Sequence, residues 1–261
     1  MNKLIVVKIG GNIIDDETKL LSFLRDFASI KDKKILVHGG GKLATKLAAQ
    51  LGIEQQLIDG RRITDAETLR IVTMVYAGYI NKNIVAKLQA DGCNAIGLSG
   101  ADGNLVKAHK RIHATIDYGF VGDVDVVNSE LLHQLLEQNM AVVIAPITHD
   151  GNGLLLNTNA DTIAQEIAKA LAGLYNVSLV YSFEKAGVLL DANDDSTVIS
   201  SINPAYYQQL KKEEKIFAGM IPKLDNAFEA LNQHVNKVII GKAEQLQQLI
   251  SGASGTTITN E

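Results

Sequence analysis

The chain has 261 residues, 46% of them hydrophobic, and a formal net charge of −4. That length suffices for a substantial core in one large domain or two lobes, and the dispersed lysines and arginines leave no basic stripe for nucleic acid. The single cysteine, Cys93, excludes an internal disulfide, and no apolar stretch approaches the about 20 residues of a membrane span, so a soluble, cytoplasmic protein is expected.

Short apolar runs rich in valine and isoleucine recur at 4–9, 35–37, 95–98, 141–147, 177–181 and 238–240. They are continuous, which predicts strands buried on both faces of a mostly parallel sheet. The first run ends in "VKIGGN" (7–12), and Leu20, Leu21, Leu24, Phe27 and Ala28 then follow at helical spacing. The second run passes into "LVHGGGK" (36–42). Three consecutive glycines let backbone N–H groups approach an anion closely. The loop is not a Walker A motif, because Lys42 is followed by Leu43 and not by Ser or Thr. Nor is it a dinucleotide fingerprint, since Lys42-Leu43-Ala44 offers no later glycine. Leu43, Leu47 and Leu51 continue at helical spacing, and Thr64-Asp65-Ala66-Glu67 reads as a capping box opening a long helix toward Asp91.

From 104 to 127 the periodicity weakens, with turns at Asp102-Gly103 and Tyr118-Gly119, so hairpins projecting from the sheet are expected there. Within them "GFVGDV" (119–124) carries two glycines that suit a movable lid. A helix is predicted over 161–171, with Asp161 in its first turn, where the helix dipole favours a carboxylate. The glycine-marked stretch 173–176 is a boundary between an N-lobe of about 1–175 and a C-lobe of about 176–261. Near the end, "FAGMIPKLDNA" (217–227) places Pro222 where it suits a first helical turn, immediately before Lys223. Strands alternate with helices, so the class is α/β.

Taken together and in order, "VKIGGN", "VHGGGK", "DGRRIT" (59–64), "GFVGDV", "LNTNADT" (156–162), "FAGMIPKLDNA" and the closing "GTTI" (255–258) resemble the amino acid kinase family, and most closely its members that phosphorylate N-acetyl-glutamate. The resemblance implies a three-layer αβα sandwich around a mostly parallel sheet. It also implies ATP with Mg2+ as phosphoryl donor and the side-chain carboxylate of N-acetyl-L-glutamate, or a related N-acyl-glutamate, as acceptor. That is the second step of arginine or ornithine biosynthesis.

Such a transfer brings two anions together, so catalysis consists of positioning plus positive charge over the transferring phosphoryl group. By resemblance, Lys8 reaches that group while Gly10 and Gly11 give backbone donors to the phosphates. Lys223 acts from the nucleotide side, and Asp161 lies between the two lysines and orients them. Gly40 and Gly41 receive the acceptor carboxylate, so the glycine loop cradles a carboxylate and not ATP. Arg62 grips the α-carboxylate with its planar fork, Asn157 holds the amino-acid portion, and Asn159 caps the following helix. Ser182, Gly219 and Met220 face the nucleotide. His38 is expected as a buried, hydrogen-bonded residue beneath the glycines, without a catalytic role. No resident metal-ligand set is expected. The carboxylate is already ionised at pH 7, so no general base is needed.

One departure stands out in "YSFEKAGVLL" (181–190), where Phe183 occupies the position of an expected aspartate and Glu184 is the available substitute. Two other readings compete: a carbamate, aspartate or uridylate kinase of the same family, and a non-catalytic amino-acid-binding regulator on the same fold. In the family, inhibition by arginine goes with an extra helix ahead of the first strand, and Lys8 stands close to the start of this chain. The expectation is therefore a homodimer insensitive to arginine, assembled through the helix 65–91 by Leu69, Val72, Val75 and Ile80.

Overall fold

The computed structural model describes residues 1–58, 61–191, 193–216 and 220–261, with the side chains at 41 and 61 also outside the description. Gly219, assigned above to the nucleotide, lies outside it, as do Asp59 and Gly60. In chain order the strands are β1 Lys3–Ile9, β2 Lys33–His38, β3 Leu57–Ile58, β4 Arg61–Arg62, β5 Ala95–Leu98, β6 Val106–Lys110, β7 Gly122–Val127, β8 Ala141–Ile144, β9 Ile147–His149, β10 Leu155–Asn157, β11 Asn176–Phe183, β12 Ser201–Ile202, β13 Lys237–Lys242 and β14 Thr256–Ile258. The helices are α1 Gly11–Ile14, α2 Glu17–Ser29, α3 Gly41–Gln50, α4 Ala66–Val72, α5 Asn81–Ala90, α6 Ser129–Glu137, α7 Ala160–Leu171, α8 Pro204–Lys212, α9 Ile221–Asn232 and α10 Leu246–Ser251.

In β1, alternate residues enter two different cores. Leu4 and Val6 join one cluster with residues of α6, α7, α8 and α9, whereas Ile5, Val7 and Ile9 join another with residues of α2, α3, α4, α5 and α10. The same division runs through β2, β8, β11 and β13, so the sheet is the middle of three layers. Continuous apolar runs are thereby explained: neither face of these strands meets water. Each fully buried Val, Leu or Ile contributes about 1.5–3 kcal/mol relative to exposure.

The main sheet has eight strands in the order β12-β14-β13-β11-β1-β2-β8-β5, parallel except for the antiparallel pair β13 and β14. Its register sets Lys8 beside Val37 and Tyr181, and Ile9 beside His38 and Ser182. The C-terminal ends of β2, β1 and β11 are therefore level. A second sheet, β10-β9-β6-β7, contains the hairpin expected in the weakly periodic region, with β6 and β7 antiparallel.

Several expectations shift. The apolar run 141–147 breaks at Pro146: β8 stays in the main sheet, and Ile147 starts β9 in the second, because proline has no N–H to give a central ladder. In α3 the buried positions are Ala44 and Ala48, while Leu43 and Leu47 pack at the margin and Leu51 is 58% exposed. Helix α4 is capped by Asp65, which accepts from Thr68 N, one residue later than the capping box implied. Thr64 is instead buried and bridged to Gly119. The long helix is interrupted by a π-helical segment, Thr73–Ile80, between α4 and α5. Val72, Val75 and Ile80, expected at a dimer contact, are buried in the chain's own core; Met74 and Tyr79 are the exposed apolar residues of this stretch.

Candidate functional site

Parallel strands end with their side chains and loops converging on one crevice, and here the helices flanking β1 lie on opposite faces of the sheet. At the end of β1 the chain reaches Gly10, the N-cap of α1, where an added Cβ would meet no protein atom within 4 Å. Lys8, one turn of strand earlier, places its Nζ 2.8 Å from Asp161 Oδ1. Asp161 sits in the first turn of α7, yet it is not the cap: Asn159 Oδ1 accepts from the N–H groups of Asp161 and Thr162. The Asp161 carboxylate is thus left to the lysine.

After β2 comes the glycine loop. Gly40 has φ +148, and an added Cβ would collide with the Ile80 side chain, so only glycine fits between this loop and the π-helical segment. His38, fully buried, holds the loop from below. Its Nδ1 lies 2.9 Å from Gly39 O and its Nε2 3.2 Å from Asn81 Nδ2. With Nδ1 donating to the carbonyl and Nε2 accepting from the amide, the ring is satisfied as neutral imidazole. Burial pushes its pKa down to about 4, against an opposing contribution from the Gly39 carbonyl, with nearby Lys82 adding to the depression. Asn81 also donates to Val143 O at 3.1 Å and accepts from Lys82 Nζ at 3.1 Å.

The loop borders a cleft lined by Gly39, Gly40, Arg62, Tyr76, Arg111, Asn157 and Asn159, among others. Arg62 donates to Gln55 Oε1 and, at 2.9 Å, to Thr45 Oγ1, and it also bonds the Tyr76 hydroxyl. Burial raises the Tyr76 pKa, and the guanidinium opposes that rise. Asn157 Nδ2 donates to Thr64 Oγ1 at 3.0 Å, and its backbone N–H donates to Phe120 O at 2.8 Å. Arg111 forms a forked ion pair with Asp123. The glycines of "GFVGDV" are explained by close approach: a Cβ on Gly119, at φ +70, would meet the Thr64 carbonyl, and one on Gly122 would meet the hydroxyls of Thr148 and Thr158.

On the other side of β1, Ser182 is 1% exposed and its Oγ has no hydrogen-bond partner among the described residues. Met220 is the N-cap of α9, and Pro222 stands in the first turn as expected. Lys223 follows, with its Nζ 4.6 Å from the centroid of the Phe183 ring. No ion pair involves Lys223 among the described residues, so Asp161 is paired with one of the two lysines and not with both. Glu184 is exposed, and no described ion pair includes it. Among the described residues no cluster of three or more His, Cys, Asp and Glu forms a metal site.

Gly10, Gly11, Lys8, Asp161, Gly40, Gly41, Arg62 and Asn157 are thus brought to the strand ends. Sequence reasoning missed Tyr76, Gln55, Arg111 and Asn81. An asparagine at a core-facing position of an apolar helix is a signal that could have found Asn81; Gln55, in a loop, offered none.

Two glycine loops at the ends of adjacent strands, with a paired lysine and carboxylate at the end of the first, define an α/β protein built to hold anions side by side. The chain belongs to the amino acid kinase family, whose model matches residues 3–242. It is 60% identical over 252 residues to a protein of Cytophaga hutchinsonii named acetylglutamate kinase, covering 96% of each chain. It is 56% identical to one of the same name from Bacteroides thetaiotaomicron, covering 94% of this chain and 95% of that one. Among solved structures, smu.665 from Streptococcus mutans superposes with a TM-score of 0.79 at 28% identity, covering 99% of both chains.

Proposed function

We propose that this chain transfers the γ-phosphoryl group of ATP to the side-chain carboxylate of N-acetyl-L-glutamate, as a kinase with a carboxyl acceptor in arginine biosynthesis. Relatives bearing the name acetylglutamate kinase at 55–60% identity over nearly the whole chain support it, and leave the other kinases of the family and the non-catalytic regulator unfavoured. The observation that carries the reading is the Lys8–Asp161 pair at 2.8 Å, at the end of β1 just before its glycines and at the start of α7.

Residues of about 1–175 hold the acyl-glutamate and those of about 176–261 hold ATP. Arg62 and Asn157 bind the non-reacting part of the acceptor, and the backbone N–H groups of Gly40 and Gly41 receive its side-chain carboxylate. One carboxylate oxygen attacks the γ-phosphorus, the bond to the β-phosphate oxygen breaks, and ADP leaves. No proton moves, so cations and N–H donors do the work. Lys8 and the N–H groups of Gly10 and Gly11 meet the transferring phosphoryl, while Lys223 meets the leaving side. Ser182 and Met220 border the nucleotide, and the Ser182 hydroxyl, without a partner among the described residues, supports a ligand on that side. Mg2+ enters as part of the nucleotide substrate, since it binds through phosphates and one or two carboxylates and not through a full protein cage.

Dimerisation uses the exposed face of the π-helical segment, where Met74 is 50% and Tyr79 65% exposed. No described helix is long and apolar enough to cross a membrane, and we assign the enzyme to the cytoplasm. A coupled ADP-release assay tests the function. N-acetyl- and N-succinyl-glutamate are assayed side by side, and ADP release with N-acetyl-glutamate is the expected result. No release with either acceptor would overturn the reading.

A further inference from the structure

We propose that Phe183 is a positioning residue for Lys223, holding the catalytic ammonium by its ring face in place of a carboxylate. The inference rests on the proposed reaction. Lys223 Nζ lies 4.6 Å from the Phe183 centroid, inside the roughly 6 Å within which a ring quadrupole attracts an ammonium. The ring is anchored: Phe183 is the last residue of β11, next to Ser182, and packs half-buried against the core beneath α7 and α9. Lys223 is held by its stem in the first turns of α9, after Pro222. The two partners therefore arrive from separate rigid elements, one fixed in the sheet and the other at a helix start.

The two lysines are held by different physics. Asp161 partly neutralises Lys8, whereas a ring orients Lys223 without cancelling its charge. That difference matters for this chemistry. Negative charge grows on the β-phosphate oxygen as ADP leaves, and an uncompensated cation opposite it lowers the barrier more than one already shared with a carboxylate. Phe183 does this through Lys223 and touches no reacting atom.

Replacement of Phe183 in the full chain by 4-fluoro-, 3,5-difluoro- and 3,4,5-trifluorophenylalanine provides the test. Each fluorine withdraws density from the ring face while nearly preserving its shape. We expect kcat to fall stepwise, by roughly threefold to tenfold at the trifluoro ring, with the KM for N-acetyl-glutamate unchanged. Phe183→Tyr should retain near-normal kcat, and Phe183→Leu should lose it. Independently of turnover, the Lys223 ε-methylene protons should show an upfield ring-current shift in NMR spectra of the parent protein that vanishes in Phe183→Leu. A normal ε-methylene shift in the parent protein, or a kcat flat across the fluorinated series, overturns the proposal. A parent protein that keeps the shifted resonance yet releases no ADP overturns the proposed reaction, and the role of Phe183 with it.

Discussion

Lys8 and Asp161 are 153 positions apart in the chain, yet their charged groups stand 2.8 Å from each other at the C-terminal end of β1 and the start of α7. The pair is partly open, with side chains 17% and 34% exposed, so its net contribution to stability is small, about 0–1 kcal/mol. Orientation of the ammonium is the better reason for it. Asp161→Asn should therefore lower kcat by on the order of 10-fold while the KM for ATP stays equal or falls, because local positive charge rises as the ammonium loses its fixed direction. A carboxylate serving only the helix dipole would give unchanged kcat and a stability loss of about 0.3–1 kcal/mol. Steady-state kinetics beside urea unfolding separates the two.

Removing either cation should act mainly on the transition state. Lys8→Met and Lys223→Met are each expected to lower kcat by about 10²-fold or more, with modest changes in either KM, as when a preorganised donor is deleted from a dry site. Near-normal kcat in one variant would withdraw the catalytic role from that lysine alone.

Arg62 is preorganised by Gln55, Thr45 and Tyr76. In the proposed reaction its guanidinium would grip a part of the acceptor that does not react, so Arg62→Ala should raise the KM for N-acetyl-glutamate by at least about 10-fold and leave the KM for ATP near normal. Tyr76→Phe, which removes one of the bonds holding the fork, should move the same constant in the same direction by less. Unchanged acceptor KM in Arg62→Ala would point the α-carboxylate to Arg111, the other arginine lining the cleft.

Much of this was legible in the chain itself. The both-face burial of β1, β2, β8, β11 and β13 follows from their unbroken apolar runs, and Pro222 marked the first turn of α9. What periodicity misjudged was which apolar residues are spare. Val72, Val75 and Ile80 looked like a surplus for a partner, but Val72 is already buried at the end of α4, and the π-helical segment turns Val75 and Ile80 inward and leaves Met74 and Tyr79 outside. A single wide turn changes the phase of every later residue, and hydrophobic spacing counted at 3.6 residues per turn does not register it. Tertiary hydrogen bonds were equally hidden. Nothing near Thr64 in the chain announces that Asn157, 93 residues on, donates to its hydroxyl.

Directly after the π-helical segment stands Asn81, the first residue of α5, and through it the glycine loop is tied to pH. Neutral His38 bridges Gly39 O and Asn81, and burial holds its pKa at about 4 against an ordinary 6.5. Because the folded value is the lower one, the unfolded chain binds this proton first. The stabilisation from keeping His38 neutral is complete above about pH 6.5 and is lost progressively as pH falls toward 4, amounting in all to about 3 kcal/mol. Asp65, the α4 cap, has its carboxyl held below the usual 3.8 by the Thr68 N–H, so its own loss comes at lower pH and does not obscure this window. Urea unfolding of the parent protein should accordingly show stability falling by about 2 kcal/mol between pH 6.5 and 5. His38→Gln, which keeps a donor and an acceptor but has no proton to gain, should be less stable at pH 7 and nearly flat across that range. Asn81→Ala removes the donor to His38 Nε2 and to Val143 O, and is expected to cost about 1–3 kcal/mol and to raise the KM for N-acetyl-glutamate by loosening the loop. A His38→Gln protein that keeps the parent's slope would place the acid sensitivity elsewhere and leave the histidine a packing role only.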